Sequence, residues 1–422
     1  MDILIRRALV QDGHPPLDIG IKDGVIHTLT PGIDSSATQV IDAAGRATIP
    51  GLIEPHIHLD KALLESRVPN RSGTLEEAIR VTGILKRKQE REDVLDRSRQ
   101  VLDMAVRNGT VAMRCHSDVD TIQGLIGVET LVQIRREYAQ LVDLQIVAFP
   151  QEGILKSRGT RELMTAAIEM GADIVGGCPY NELSWEDTKA HIDIVFAMAQ
   201  KFGRDIDLHA DFADSTTDRR FAAAAHIAQK TIDTGYHGRV TLGHLTSLGA
   251  LGADEAGWVI DLLGKAQINV VTLPATDVYL SSRKEPVHPR RGLTPIRALR
   301  EAGVNVAYSS NNIRNAFTPF GTADPLQIGL LLAHVAQFGS PDDQRYVLEM
   351  CTQAAARVLG ITDRYGIAIG KQADLVILDT YKVGDAILDL PVRRWVIKRG
   401  RVTVETQHTC TLHRTAQEGT TS

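Results

Sequence analysis

The apolar positions at the two ends of the chain follow a pattern that is typical of short strands. Residues 1–49 contain runs rich in β-branched and other apolar residues, separated by Asp-Gly and Gly: DILIRRALV, LDIGIKDGVIHTL and TQVIDAAGRATI. Such runs, with turn residues between them, indicate β-hairpins. Residues 373–405 show the same pattern. We therefore predict a small composite β-sandwich built from residues 1–52 and 366–405, followed by a polar, mobile tail over 406–422.

The middle of the chain has a longer rhythm, in which an amphipathic helix, a glycine and a short apolar strand follow one another. The segments TAAIEMGADIVGG and IRALREAGVNVAYSSNN show it. Glycine just after a helix is a common cap, and the apolar runs suit strands buried on both faces. Thr74 and Glu77 predict a capping box at the start of a long helix. The eight predicted strands end near His58, Asp118, Gln151, Gly177, Asp211, His244, Asp277 and Asn311.

Eight strand–helix units predict an α/β fold, a (β/α)8 barrel over residues 53–365. A doubly wound open sheet also alternates strands and helices, but it does not need eight units. Barrel enzymes place their chemistry at the carboxyl ends of the strands. Several predicted strands here end in polar residues, which a purely structural core strand would avoid because buried polar groups cost free energy unless they are paired.

The first barrel strand ends in two histidines, in the segment PGLIEPHIHLDKALL. Residues two apart on a strand point to the same face, so His56 and His58 both face the barrel axis. His209 ends the fifth strand and supplies a third imidazole, a ligand type that suits zinc or iron. A lone HxH is more often a pair of satisfied core histidines. Its combination with histidines that end other strands of the same barrel predicts a site for one divalent metal.

Composition narrows the class of protein. Of 422 residues, 43% are hydrophobic and 23% are charged, as in ordinary globular proteins, and the net charge of -5 argues against binding nucleic acid or an acidic membrane. The four cysteines are scattered without a CxxC motif. Neither a signal peptide nor a run of roughly 20 apolar residues is evident. We expect a cytoplasmic enzyme with a small-molecule substrate, and a homo-oligomer is possible.

Seven segments together resemble the amidohydrolase superfamily, on the branch that contains cytosine deaminase and N-isopropylammelide amidohydrolase. They are PGLIEPHIHLDKAL, HSDVD, VAFPQEGIL, LHAD, GHLTS, HPRRGLT and PFGTADPLQ. The resemblance covers nearly the whole chain. It implies a metal-dependent hydrolase of C–N bonds in a small nitrogen-containing ring or amide. It also implies that His56, His58 and His209 are metal ligands.

The resemblance assigns further roles and shows two departures. His244 corresponds to the histidine that polarises the attacking water or the substrate carbonyl, and Gln151 to the glutamine that reads the substrate. Asn311 stands where the family has a metal-binding aspartate, and Phe212 where it has a proton-shuttling glutamate. Asn311 can still be a neutral ligand, but it cannot act as a base. We therefore expect weaker metal binding, and a drier pocket around Phe212.

Other residues are candidates for the missing roles. Asp211, two residues after His209, is either a replacement base or an orienting partner of that histidine. Asp277 is a further candidate, for proton transfer or for substrate binding. Asp118 is expected to orient His116. Phe317 is expected to stack on a planar substrate ring or only to pack within its loop.

Three functions stay open from the sequence. The first is the metal-dependent hydrolase described above. The second is a weakly metallated or metal-free hydrolase that uses an aspartate, such as Asp211, and His244 as base. The third is a non-catalytic descendant that binds a ligand. The retained histidines and Gln151 favour an enzyme, whereas Asn311 and Phe212 favour a descendant that has lost activity.

Overall fold

The computed structural model describes residues 1–212, 217–283, 285 and 287–413. An eight-stranded parallel sheet forms the centre of the fold, and its strands are hydrogen-bonded in chain order. This confirms the predicted (β/α)8 barrel rather than an open doubly wound sheet. The strands are β6 (Leu52–Ile57), β7 (Thr110–Asp118), β8 (Asp143–Phe149), β9 (Ile174–Gly177), β10 (Asp205–Ala210), β11 (Val240–His244), β12 (Asn269–Thr272) and β13 (Asn305–Tyr308).

The barrel closes between its first and last strands. Ile57 and Asn311 form a parallel bridge. The Asn311 backbone N–H donates to the His56 carbonyl at 3.1 Å, and the His58 N–H donates to the Asn311 carbonyl at 2.9 Å. The main chain of Asn311 is therefore part of the closure, at the same place where two predicted metal ligands leave β6.

Helices surround the barrel, as the helix–glycine–strand rhythm predicted. They are α1 (Leu75–Lys86), α2 (Arg91–Arg107), α3 (Ile126–Glu137), α4 (Thr160–Met170), α5 (Trp185–Phe202), α6 (Ala224–Asp233), α7 (Ala253–Lys265), α8 (Pro274–Leu280), α9 (Ile296–Glu301), α10 (Pro325–Val335), α11 (Pro341–Met350), α12 (Gln353–Leu359) and α13 (Asp385–Leu388). Among the described residues, none of the helices has both the length and the apolar content needed to cross a membrane.

The start of α1 shows half of the predicted capping box. The Thr74 side chain accepts a hydrogen bond from the Glu77 N–H, which satisfies one of the free donors of the first turn. The Glu77 carboxylate, however, accepts from the Ser72 N–H at 2.6 Å. The reciprocal contact therefore falls two residues earlier than predicted, and it fixes the loop that enters α1.

Two four-stranded sheets come from the chain ends. One contains β1 (Ile3–Ala8), β2 (Leu17–Lys22), β3 (Val25–Thr30) and β4 (Gln39–Asp42); the other contains β5 (Thr48–Pro50), β14 (Leu375–Leu378), β15 (Arg393–Lys398) and β16 (Arg401–Glu405). Ile5 and Ile19 of the first sheet share one apolar core with Leu375 and Ile397 of the second. The composite β-sandwich is thereby confirmed, since the second sheet pairs β5 with strands more than 300 residues away.

The exact domain limits, 1–52 with 366–405 and 53–365, stay predictions. Strand β6 begins at Leu52, the last residue of the first predicted segment. Of the predicted tail, residues 406–413 contain no helix or strand, and 414–422 lie outside the described residues.

One predicted strand end is displaced. Strand β12 ends at Thr272, so Asp277 lies on α8 rather than at the end of the seventh strand. The physical reason is Pro274, which has a fixed φ and no N–H and is well suited to the first position of a helix. The chain therefore turns into a helix before it reaches Asp277.

Glu54 links the two strands that close the barrel. It is buried in β6. Its carboxylate accepts three hydrogen bonds: from the Ser309 hydroxyl, from the Ser310 hydroxyl and from the Ser310 N–H, the last at 2.9 Å. Burial raises the pKa of Glu54, and the three hydrogen bonds oppose that shift. The presence of Glu54 in an otherwise apolar strand is thus explained by its hydrogen bonds to the two serines that follow β13.

We expect the Glu54→Ala variant to lose roughly 3 kcal/mol of unfolding free energy, because three buried donors would lose their acceptor. Urea denaturation followed by circular dichroism measures the change. Glu169→Ala, on the exposed end of α4, is the matched control and should change the unfolding free energy by at most about 0.5 kcal/mol. Equal effects of the two substitutions would show that Glu54 does not stabilise the closure.

Candidate functional site

Three imidazoles converge at the carboxyl ends of the barrel strands. The Nε2 atom of His209 lies 3.1 Å from the Nε2 atoms of both His56 and His58, and all three side chains are buried. Nitrogen atoms bound tetrahedrally to zinc at about 2.0–2.1 Å would lie about 3.3 Å apart. The structure therefore brings together the three histidines predicted as metal ligands, in an arrangement that fits one ion.

Burial keeps these imidazoles neutral. It lowers the pKa of His56, His58 and His209 well below the ordinary value of 6.5, and the neighbouring histidines lower the pKa further. The Nδ1–H of His58 donates to the His116 carbonyl at 3.1 Å, which leaves the lone pair on Nε2. Neutral imidazoles with the lone pair directed to a common point are the form that binds a metal.

Asn311 adds a fourth donor to the same cavity. Its Oδ1 atom is buried and has no hydrogen-bond partner among the described residues. The residue has a φ of +59°, a left-handed conformation that Asn, Asp and His adopt more readily than other side chains. An amide oxygen is a neutral ligand for a divalent ion. The donor set of three imidazoles and one amide therefore fits a metal but carries no negative charge.

His244 is oriented by Asp277. The Nδ1–H of His244 donates to the Asp277 carboxylate at 2.6 Å, and the second oxygen of that carboxylate accepts from the Leu273 N–H at 3.2 Å. The Nε2 atom of His244 is buried and has no hydrogen-bond partner among the described residues. It lies in the same small cavity as His58, His209 and Asn311. Asp277, predicted to contact substrate, instead lies behind His244.

Asp211 is not brought into this cavity. Its two carboxylate oxygens accept from the N–H groups of Ala223 and Ala224, at 2.7 and 3.2 Å, where helix α6 begins. Burial raises the pKa of Asp211 to about 6, against these hydrogen bonds. It lines a separate cavity beside Trp258. The geometry is that of a structural cap on α6. Of the two roles predicted for Asp211, an orienting residue therefore fits better than a catalytic base, but the group that it orients is helix α6 rather than His209.

The partner expected for Asp118 also differs. His116 bonds to Asp207 through Nε2 at 3.0 Å. Asp118 instead pairs with two buried lysines, Lys61 at 3.0 Å and Lys86 at 2.6 Å. Sequence proximity suggested the pair of His116 and Asp118, but Asp207 of β10 reaches His116 across the barrel, and the buried lysines engage Asp118.

Lys61 is a site residue that the sequence interpretation missed. Its ammonium donates to Gln151 Oε1 at 2.9 Å and lies 5.4 and 5.3 Å from the ring centres of Phe149 and Phe317. A lysine buried this deeply needs a partner, which Asp118 supplies. The signal was present in HLDKAL, where a lysine follows a strand end that carries two predicted metal ligands. Gln151 lies in the cavity as predicted, with its oxygen held by Lys61.

We call the space at this convergence the inner cavity. It has a volume of about 10 Å³ and is lined by His58, Lys61, Gln151, Tyr180, His209, Phe212, His244, Asn311, Asn312 and Phe317. Phe212 stacks on His244, with ring centres 3.8 Å apart and planes 15° apart. The apolar wall predicted from Phe212 is therefore in direct contact with the imidazole that bears the free nitrogen.

A buried carboxylate, Glu182, fixes the loops that carry Gln151. Glu182 accepts from the N–H groups of residues 154, 155 and 156, and from His191 Nδ1 at 2.7 Å. Asn181, next to it, donates to the Gln151 carbonyl at 2.6 Å. Glu182 thereby ties the loop after β8 to the turn after β9.

Residues 71–404 match the amidohydrolase family. The chain is 30% identical over 413 residues to N-isopropylammelide isopropyl amidohydrolase from Pseudomonas sp. (strain ADP), covering 96% of this chain and 97% of that protein. It is 30% identical to pterin deaminase from Rhizobium rhizogenes, covering 93% of this chain and 88% of that one. It also superimposes on a crystal structure of 5-methylcytosine deaminase from Klebsiella pneumoniae with a TM-score of 0.92, at 32% identity, covering 97% of this chain and 99% of that chain.

The chain belongs to the amidohydrolase family, and it is a hydrolase of the class that acts on non-peptide C–N bonds. Within that family it falls on the branch of the N-isopropylammelide amidohydrolase and the 5-methylcytosine deaminase, which confirms the resemblance found in the motifs.

The Glu182→Gln variant should lose roughly 2 kcal/mol of stability at pH 7, because hydrogen bonds to a charged acceptor become bonds to a neutral one. Burial alone would raise the pKa of Glu182, but His191 and the backbone N–H groups lower it below its ordinary value of 4.5. A lowered pKa stabilises the fold above that value, and the effect is lost as pH falls through the folded-state pKa.

The difference between parent and variant should therefore shrink below about pH 4. Urea denaturation at several pH values measures it. The matched control is Glu186→Gln, an exposed residue of the same region, which should show no such dependence. A difference that stays constant down to pH 3 would contradict the assigned role of the Glu182 charge.

Proposed function

We propose that this protein hydrolyses a C–N bond on a small nitrogen-containing ring, with a divalent metal and with His244 as the group that moves the proton. The observation that carries the proposal is the convergence of His56, His58 and His209 in a cavity that also contains the free Nε2 of His244. A ligand-binding descendant has no need for either arrangement.

His56, His58, His209 and Asn311 are the residues that would hold the ion, zinc or iron. When bound, such an ion acts as a Lewis acid toward water or a carbonyl group. The all-neutral donor set supports weak rather than tight binding, because no anionic ligand offsets the charge of the ion.

His244 takes the place of the absent carboxylates in proton transfer. Asp277 accepts the Nδ1–H, so the lone pair of His244 is on Nε2, which lies in the cavity. This nitrogen can accept a proton from the attacking water as the new C–O bond forms. It can then donate that proton to the leaving nitrogen as the C–N bond breaks. Asp277 acts on His244 and not on the substrate.

Lys61 and Gln151 are suited to hold the opposite edge of the ring. Lys61 binds the Gln151 oxygen, so the Gln151 amide presents its N–H group, which lies 3.8 Å from the Cys178 sulfur. An ammonium and an amide N–H both donate, and they match an acceptor such as a ring carbonyl. Phe317, whose ring the Lys61 ammonium faces, is placed to cover the ring plane.

The metal-free alternative has fewer candidate bases in the structure than the sequence suggested. Asp211 caps α6 outside the inner cavity, so His244 with Asp277 is the base that remains for a weakly metallated or metal-free hydrolase. Metal content measured beside turnover separates the two versions.

Replacing His244 by Asn, or Asp277 by Asn, should lower kcat by about 10²–10⁴-fold, the usual contribution of general acid–base catalysis. The reason differs between the two variants. His244→Asn removes the base, whereas Asp277→Asn removes the acceptor that fixes the tautomer of His244. Steady-state assays on N-isopropylammelide, 5-methylcytosine and related rings measure it. Metal content should not change in either variant. Loss of metal together with activity would indicate that His244 is a ligand instead.

The Asn311→Asp variant should bind the metal about 10–100-fold more tightly, a range typical of changes close to a metal centre, because it adds an anionic ligand. Aspartate also tolerates the left-handed backbone at this position. Combined with Phe212→Glu, it should create measurable deaminase activity on unsubstituted cytosine, whereas the parent should prefer bulkier or more apolar rings. Competition with a chelator, metal analysis and ammonia release are the measurements.

Asn312→Asp is the matched control, since it adds the same charge one residue further along in the same cavity. It should leave metal affinity near that of the parent. If the parent protein already turns over cytosine at about 10 s⁻¹, a typical enzyme rate, the argument from Asn311 and Phe212 is wrong.

A further inference from the structure

A second and much larger cavity lies directly outside the inner one. We call it the outer cavity. It has a volume of about 530 Å³, and it shares Tyr180 and Phe212 with the inner cavity. Among the described residues these two rings are the boundary between the spaces, and they contact each other edge to face with centres 6.4 Å apart.

The two volumes limit where a substrate can lie. The inner cavity, at about 10 Å³, has room for about one water molecule at most. A heterocycle therefore fits beside the histidines only when lining side chains move apart, and Tyr180 and Phe212 are the lining residues that also face the outer cavity. The outer cavity falls in the range of about 300–1,000 Å³ that holds drug-sized ligands, far more than an unsubstituted pyrimidine or triazine fills.

The wall of the outer cavity is apolar next to the dividing rings. Leu75 and Ile79 lie four residues apart on α1 and so share one helix face. Phe221 and Leu280 complete this wall beside Tyr180 and Phe212. These six side chains form a continuous apolar surface that begins where the inner cavity ends.

Four of the five charged residues that line the outer cavity have protein partners; the fifth is Glu76, in the first turn of α1. Arg220 pairs with Asp218, and Arg290 pairs with Glu285. Arg283 donates to the Tyr279 carbonyl through its Nε atom at 2.9 Å. Two of the three arginines are therefore paired with carboxylates, and the surface next to Tyr180 and Phe212 is the apolar one.

We infer that the substrate is a heterocycle bearing an apolar substituent of about four or more carbon atoms, which lies in the outer cavity against Leu75 and Ile79. The inference rests on the proposed function and names its substrate class. The ring occupies the site of the histidines, and the substituent passes between Tyr180 and Phe212. A methyl or amino group in that position would leave the apolar wall exposed to water.

The first test is a homologous series. N-alkylammelides and 5-alkylcytosines, from methyl to hexyl, are assayed for kcat/KM with the metal-loaded protein. Each methylene buried against the wall should raise kcat/KM about fourfold, up to at least butyl. Binding of the matching N-alkylcyanurates, which lack an exocyclic amine and are not deaminated, is measured by calorimetry and should show the same dependence in Kd.

The matched variants are Ile79→Asp and Ile84→Asp on the same helix. Ile79 lines the outer cavity, whereas Ile84 is exposed and lies outside its wall. A charge at position 79 should reduce the gain per methylene, in kcat/KM and in cyanurate affinity, to less than about twofold. The same change at position 84 should keep the full gain. A thermal melt of each variant verifies that both fold.

The outcomes separate the two proposals. Turnover without a dependence on chain length overturns the substituent inference and leaves the proposed function standing. A dependence in cyanurate binding that Ile79→Asp abolishes, without turnover of any member, upholds the outer cavity as the substituent site and refutes the hydrolysis. If no member of the series is turned over and no cyanurate binds, both the substituent inference and the proposed function are overturned.

Discussion

The arrangement of this site depends on three imidazole nitrogens that are held close to one point in a buried region. When all three nitrogens carry lone pairs they repel one another, and burial removes the water that would solvate them. The barrel nevertheless keeps His56, His58 and His209 in place, through strand position and through ring stacking of His56 on His116 and of His209 on Phe149. A cation at the point of convergence changes this repulsion into attraction.

The inner cavity carries no negative charge of its own. Asn311 and Phe212 are among its lining residues, and none of the lining residues in the described part of the chain is acidic. Lys61 adds a positive charge, which Asp118 balances from behind. Such a cavity favours ligands rich in hydrogen-bond acceptors.

The sequence was sufficient wherever local pattern determines structure. The helix–glycine–strand rhythm predicted the barrel, and the strand-end position of His56, His58 and His209 predicted their meeting. It failed where contacts join distant segments. The pairing of His116 with Asp207 spans the barrel, and the cap that Asp211 places on α6 depends on how the loop after β10 returns. Lys61 was overlooked because its role appears only when Gln151 and Asp118 are brought beside it.

The closure between β6 and β13 also bears on the order in which the protein folds. Glu54 and Ser309 are 255 residues apart in the chain. Contacts of such high separation form late, because the entropy of closing the loop is lost before they can stabilise anything. Asn311 joins His56 and His58 only at that last step, so an ion that needs all of them binds the closed barrel alone. By mass action, an ion that binds only the closed barrel would stabilise it against opening and against proteases.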